Sequence, residues 1–289
     1  MRSLVISGGA SKGAFGSGAI LFLLGELETD YSAYCGVSSG ALCAAFLAMF
    51  PSGEEKRAAE TLADLWSKIR SSDIYKEWYL FGKFQSIWRN AFYNSAPMRK
   101  LIRSHISLDR IRASGKHVSV GAVSLTSGKY RLFTEADDDF VEAVIASASF
   151  PSLFEPIPLR NELFVDGGLK SISPISAAID GGSEFIDVII TSPEFRDKKF
   201  ISNPTILDVI ARSFDLFTEK IMSSDIEKAI LYNRLAEVGA TDKKAIAMNI
   251  IRPDHNLIED LLDFDPVKIQ NMIKLGYDAA KSKYNNISA

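Results

Sequence analysis

The amino-acid sequence predicts an α/β fold built on parallel strands, and three observations carry that expectation. The first fifty residues read strand, turn, helix, strand, turn, helix, and strands joined by a helix-length crossover pair in parallel. Further short apolar runs at 163–165, 186–191 and 245–251 have the length of buried strands. Helical periodicity recurs around them, over 54–70, 205–236 and 266–284.

The first strand is Leu4-Val5-Ile6. Residues 14–27 are apolar nearly all round and too long for a strand, which marks a buried helix. Gly16, Gly18 and Gly25 weaken its helix propensity, and close packing against a sheet is the expected compensation. Residues 31–35 form the second strand and 39–50 the second helix, stopped by Pro51. In 54–70, Leu62, Leu65, Trp66 and Ile69 share one helical face. Residues 118–125 and 129–133 flank Thr126-Ser127-Gly128, a three-residue hairpin connection. Residues 140–148 read as a short helix. With no internal repeat, low-complexity run or proline-rich linker, one domain over 1–289 is expected. It carries an aromatic-rich insertion at about 72–100 and a helical C-terminal part at about 205–289.

Composition excludes several functional classes. Of 289 residues, 47% are apolar and 24% charged, the proportions of an ordinary globular protein able to bury a large core. Lys and Arg number 33 against 36 Asp and Glu, so there is no basic footprint for nucleic acid. Two cysteines, Cys35 and Cys43, make no disulfide framework and fit a reducing compartment. The N-terminus lacks the long apolar region and cleavage site of a signal peptide. The uncharged stretch 31–53 holds only ten continuous apolar residues, 41–50, against the roughly 20 of a membrane span. A cytoplasmic protein is expected. The sequence carries no signal for a particular oligomeric state.

Three segments carry chemistry. Gly8-Gly9-Ala10-Ser11-Lys12-Gly13 joins the first strand to the first helix, where backbone amides at a helix N-terminus can hold an anion or an oxyanion. It lacks the spacing of a P-loop, and Ala10 spoils a dinucleotide fingerprint. Gly36-Val37-Ser38-Ser39-Gly40 matches Gly-x-Ser-x-Gly between a strand and a helix, the setting that exposes a serine nucleophile on a sharp turn. A serine needs a proton acceptor. Among His105, His117 and His255, only His255 follows a strand and fits a Ser…Asp…His order, and no neighbour supports it. Asp166, in Val165-Asp166-Gly167-Gly168 at a strand end, is the better candidate. The acidic run Glu135, Asp137, Asp138, Asp139 lacks the alternating spacing of calcium loops and reads as a charge cluster at a helix start.

Together these segments, with Ala146-Ser147-Ala148-Ser149-Phe150-Pro151 and Phe154-Glu155-Pro156, resemble the patatin-like phospholipase family. The resemblance covers about 3–50 and 143–175. It implies a three-layer α/β/α fold with a mainly parallel central sheet. It also implies a lipid acyl hydrolase of the phospholipase A or lysophospholipase type, with Ser38 as nucleophile, Asp166 as the base of a Ser–Asp dyad, and no histidine, metal or cofactor. Oxyanion amides would come from Gly8, Gly9 and Ala10, with Gly13, Gly36, Gly40, Gly167 and Gly168 as motif glycines. The alternatives are an acyltransferase or thioesterase using the same serine, or a catalytically silent lipid-binding scaffold. One departure stands out: the family usually has glycine where this chain has Ala10, so the loop is expected to use a conformation compatible with a Cβ. Lys12, where the family often carries a basic residue, either meets an anionic head group or is a solvated lysine.

A carboxylate near its usual pKa of about 3.9 is a poor base at neutral pH, so partial burial of Asp166 is expected to raise it. Between 75 and 93 lie Tyr75, Trp78, Tyr79, Phe81, Phe84, Trp88, Phe92 and Tyr93, mixed with Lys76, Lys83 and Arg89. Aromatic and basic side chains together suit a segment that caps the acyl pocket or docks on a bilayer as a peripheral membrane contact, whereas a core-packing role would bury the rings.

Overall fold

The structure, a computed structural model, describes residues 1–78, 90–194, 206–240, 244–257 and 260–285. β1 (Arg2–Ile6) passes through a 3-10 turn at Ala10–Lys12 into α1 (Gly13–Ile20), which continues as a π-helical stretch over Leu21–Glu26. β2 (Ala33–Gly36) leads into α2 (Ser39–Leu47). That helix ends three residues before the expected Phe50: Ala48 still has right-handed dihedrals, and the chain tightens into i→i−3 bonds, Met49 amide to Phe46 carbonyl at 3.2 Å and Phe50 amide to Leu47 carbonyl at 3.1 Å, before Pro51. The amphipathic α3 (Glu55–Lys68) follows, then α4 (Ser71–Ile74), α5 (Ala96–His105) and α6 (Leu108–Ser114), which stops at the left-handed Gly115. β3 (His117–Ser124) and β4 (Tyr130–Thr134) form the expected hairpin, followed by α7 (Phe140–Ser147). β5 (Ile157–Leu159), β6 (Glu162–Asp166), α8 (Ile175–Asp180) and β7 (Phe185–Ile189) come next. α9 (Ile206–Glu237), β8 (Ala247–Ile251) and α10 (Pro266–Asn285) complete the chain.

Among the described residues, eight strands form one mixed sheet in the order β5-β6-β3-β2-β1-β7-β8, with β4 also paired to β3. β8, β7, β1, β2 and β3 are mutually parallel, and β4 and β6 run antiparallel to β3. Ser119 of β3 pairs with Cys35 of β2 and Thr134 of β4, while Ala122 pairs with Asp166 of β6 and Arg131 of β4. β2 and β6 therefore share one edge of β3. Since they run in opposite directions, their carboxyl ends, at Gly36 opposite Val120 and Asp166 opposite Ala122, meet head to head beside Gly121. A Cβ on Gly167 would lie 2.3 Å from the Gly121 carbonyl, so only glycine lets the two ends approach so closely.

Alternation along the strands splits the core between the two faces of the sheet. Leu4 and Ile6 face the larger core with α1, α2, α3, α7 and α10, whereas Val5 faces the smaller one with α8 and α9. The glycines of the first helix differ from expectation in what they touch. Gly16 does face the sheet, where a Cβ would lie 3.8 Å from the Ile6 and Ile189 side chains, but Gly18 faces α10, where a Cβ would lie 1.8 Å from the Ile273 carbonyl. Gly276 of α10 answers it, with a Cβ position 1.9 Å from the Phe15 carbonyl. The helices thus cross backbone to backbone, and the dispersion gained there offsets the glycine penalty. No helix among the described residues is long and apolar enough to cross a membrane.

Candidate active site

The turn after β2 is strained in the manner its sequence requires. Ser38 has φ 57 and ψ −127, a conformation that L side chains avoid and that costs of order 1–3 kcal/mol. Its flanking glycines are demanded by contact. A Cβ on Gly36 would sit 2.2 Å from the Gly40 carbonyl, and one on Gly40 would sit 2.1 Å from the Ile6 carbonyl. The Ser38 amide donates to Ser147 Oγ at 3.0 Å, which ties the turn to the end of α7.

The head-to-head strand ends bring Asp166 to Ser38. Asp166 is only 2% exposed, its amide donates to the Ser149 carbonyl at 3.0 Å, and its Oδ1 accepts from the Gly168 amide at 2.7 Å. Burial pushes its carboxyl from an ordinary 3.8 up to about 7, against the opposing pull of hydrogen bonding from the Gly168 amide and the Ser38 side chain. The group is thus poised to exchange a proton near neutral pH.

The glycine loop after β1 lies against the serine turn. A Cβ on Gly8 would meet Ser38 Cβ at 2.9 Å, and one on Gly9 would meet Thr191 Oγ1 at 2.2 Å. Thr191 Oγ1 donates to the Gly8 carbonyl at 2.7 Å. Gly13 is held to glycine by Trp66 of α3, 2.4 Å from its Cβ position. Two expectations for this loop need correction. Ala10 does not escape the left-handed region but occupies it, with φ 51, so the loop keeps the glycine-like path and carries the strain of a Cβ. The Gly8 amide is not free for an oxyanion, because it donates to the Ile172 carbonyl at 3.2 Å. The amides of Gly9 and Ala10 donate to no group among the described residues and remain as donors.

The Patatin-like phospholipase family profile matches residues 4–179, which contain both strand-to-helix turns and the Asp-Gly-Gly strand end. The chain belongs to the patatin-like phospholipase family. It is 25% identical over 263 residues to the probable lipid hydrolase 463L of Invertebrate iridescent virus 6, spanning 84% of this chain and 89% of that one. It is 23% identical over 205 residues to the calcium-independent phospholipase A2-gamma of Oryctolagus cuniculus, spanning 62% of this chain and a 25% share of that much longer one. Among solved structures, VipD from Legionella pneumophila shares the fold, with a TM-score of 0.51 and 13% identity, over 99% of this chain and 67% of that one.

In this patatin-like chain one cavity contains the whole constellation: Gly8, Gly9, Ala10, Ser38 and Asp166 line it, with Leu42, Trp66, Phe150, Phe154 and Met222 forming an apolar wall. Lys12 also lines it. The solvated-lysine expectation is overturned, since Lys12 is buried and its Nζ lies 3.5 Å from Ser192 Oγ. None of the histidines reaches the cavity. His105, His117 and His255 are all exposed, and His117 pairs with Glu135. The acidic run is taken up by cations: Arg160 holds Asp137 and Asp139, and Arg112 holds Asp138.

Of the aromatic segment, Tyr79, Phe81, Phe84 and Trp88, with Lys83 and Arg89, lie outside the described residues. The described flanks differ in burial. Tyr75 and Tyr93 pack as a tilted pair with ring centroids 4.6 Å apart against the core, and Trp78 donates to the Ala91 carbonyl at 3.2 Å. Phe92 is 43% exposed, and its amide donates to the carbonyl of Ser152, next to the cavity-lining Leu153 and Phe154.

Ser147, Ile172, Thr191 and Met222 join the site without a role expected from the sequence. Ser147 and Ile172 lie inside or beside the quoted motifs, which was the available signal. For Thr191 and Met222 nothing local marks a contact with residues near the N-terminus.

Proposed function

We propose that this chain hydrolyses carboxylic esters of lipids through an acyl-Ser38 intermediate, with Asp166 as the proton acceptor. The observation that carries this reading is a carboxyl only 2% exposed, its pKa raised by burial to about 7, beside a serine on a strained strand-to-helix turn, both in one apolar cavity. As Ser38 Oγ attacks the ester carbonyl, its proton passes to Asp166 and the carbonyl oxygen becomes an oxyanion. The Gly9 and Ala10 amides stabilise that charge, and loss of one such donor typically costs about 10²–10³ in rate. Collapse expels the alcohol, which takes the proton from Asp166 and leaves the acyl-enzyme. Water then attacks the acyl carbonyl, gives its proton to Asp166, and the acid departs as the proton returns to Ser38. The net change is ester plus water to acid plus alcohol.

The apolar wall suits an alkyl chain, and the buried Lys12 ammonium suits a phosphate on the leaving alcohol. Peripheral contact with a lipid surface is supported by two exposed apolar sites beside cavity-lining segments. These are Phe92, and Leu216 with Phe217, which precede the cavity-lining Thr218 of α9. Ester turnover by purified variants tests the reading. Ser38→Ala and Asp166→Asn lose activity, the latter by about 10²–10⁴-fold as for loss of a general base, while Ser39→Ala and His255→Ala retain it. A dead His255→Ala with an active Asp166→Asn would replace the dyad with a triad.

A further inference from the structure

The loop following the proposed base is held from an unexpected quarter. Asp225, on α9 and only 8% exposed, is not part of the cavity wall. Its Oδ2 accepts the Ile172 amide at 2.9 Å, the Ser173 amide at 3.0 Å and the Ser171 hydroxyl at 3.2 Å. Burial raises its pKa, and these three donors oppose the shift. The Ile172 carbonyl in turn accepts the Gly8 amide at 3.2 Å, and the Ile172 side chain lines the cavity. A continuous path of hydrogen bonds therefore runs from α9, through 171–173, to the first residue of the oxyanion loop. Thr218, Met222, Asp225 and Ala229 recur at helical spacing on one face of α9. Thr218 and Met222 line the cavity, so the face that covers the site also anchors its loops.

We propose that Asp225 is a positioning residue for catalysis: through Ile172 and Gly8 it sets the Gly9 and Ala10 amides against Ser38. The inference rests on the acyl-serine reading above. Removing the carboxylate frees the Ile172 and Ser173 amides and releases the Gly8 anchor. The oxyanion donors then lose alignment, while the apolar wall that binds the acyl chain stays in place. The expected loss falls on the transition state and not on substrate binding.

The test measures steady-state hydrolysis of a short-chain 4-nitrophenyl ester by the full chain and by Asp225→Ala, Asp225→Asn and Ser38→Ala, each with its melting temperature. Asp225→Ala is expected to lower kcat by about 10–100-fold with KM within about threefold, somewhat less than outright loss of an oxyanion donor. Asp225→Asn, whose carbonyl oxygen still accepts the two amides, is expected to restore kcat to within about threefold. A loss confined to KM, or an unchanged kcat in folded Asp225→Ala, overturns the proposal. Should Asp225→Ala fail to fold, Asp225→Ser, whose shorter side chain withdraws the acceptor from the two amides, takes its place: a tenfold or greater fall in kcat that Asp225→Asn restores supports the proposal, and parental kcat in both variants overturns it. Ser38→Ala separates the two claims: if it is as active as the parent, the acyl-serine reading fails and this inference with it. If it is dead while folded Asp225→Ala matches the parent, only this inference fails.

Discussion

The amide of Ser38 donates to Ser147 Oγ across 3.0 Å, although 109 positions separate the two residues in the chain. Ser147 is fully buried at the end of α7, and its hydroxyl satisfies a backbone donor that the strained turn cannot pair with its own helix. The bond sets the direction from which Ser38 enters α2. Ser147→Ala leaves that amide unpaired, which destabilises by about 1–3 kcal/mol. Denaturant unfolding is expected to report a loss of that size, with kcat reduced as Ser38 loses its fixed orientation. Unchanged stability and rate would mean the turn holds itself.

The raised pKa of Asp166 predicts a pH dependence of both activity and stability. As the proposed base it must be ionised, so kcat/KM is expected to rise with pH through an apparent pKa near 7 and then level off. Stability moves the other way. The folded pKa is raised above the ordinary 3.8, so the native state binds the proton more tightly than the unfolded chain does. This favours the fold below about pH 4, and the advantage is lost as pH rises toward 7, to a total of about 4 kcal/mol at most. Asp166→Asn carries no such titration. Its melting temperature is expected to exceed the parent's at pH 8 and to converge with it at pH 4. A constant difference across that range would contradict a raised pKa.

Ala10 and Gly9 make opposite predictions at adjacent positions. Ala10→Gly relieves a residue at φ 51 without removing its amide, so kcat/KM is expected to stay within about threefold, with stability equal or higher by up to about 1 kcal/mol. Gly9→Ala places a Cβ 2.2 Å from Thr191 Oγ1 and pushes apart the loop and the end of β7. Its turnover is expected to fall by about 10²-fold, the scale of losing one oxyanion donor. Side-by-side kinetics of the two variants checks both, and an inactive Ala10→Gly would show that the alanine methyl itself is needed.

The lipid-surface contact is tested at residues that leave the cavity intact. Phe92→Ser with Phe217→Ser is expected to weaken sedimentation with phosphatidylcholine vesicles and turnover of vesicle lipid, while hydrolysis of a soluble short-chain ester stays within about twofold. Exposed apolar groups contribute little to the fold, so the melting temperature should hold. Equal loss on both substrates would place the two rings in the fold instead.

Much of this site is readable from the sequence because its key pieces are local. Gly36 and Gly40 around Ser38 report a turn packed too closely on itself and on β1 for a Cβ, and Gly167 after Asp166 reports a close approach to β3. Parallel strands, the 126–128 hairpin and the long C-terminal helices follow from periodicity and length. What escaped depends on contacts between distant segments. The burial of Lys12, the Gly8 amide bonded to Ile172, and the hold of Asp225 on 171–173 all arise from the sheet order, which places 166–173 beside both early turns. β5 escaped for a different reason: three residues containing Pro158 carry no usable period, and the strand exists because β6 offers it an edge. Ala10 shows the limit of propensity, since surrounding contacts impose on it a backbone that alanine alone would avoid.

The central claim is that Ser38 is the nucleophile and that Asp166 activates it. Intact-protein and peptide mass spectrometry after treatment with a fluorophosphonate tests this most directly. The parent chain is expected to gain one phosphonyl adduct, mapped to Ser38. Asp166→Asn is expected to label slowly, His255→Ala and Ser39→Ala at the parental rate, and Ser38→Ala not at all. An adduct on another serine, or undiminished labelling of Ser38→Ala, would contradict the account.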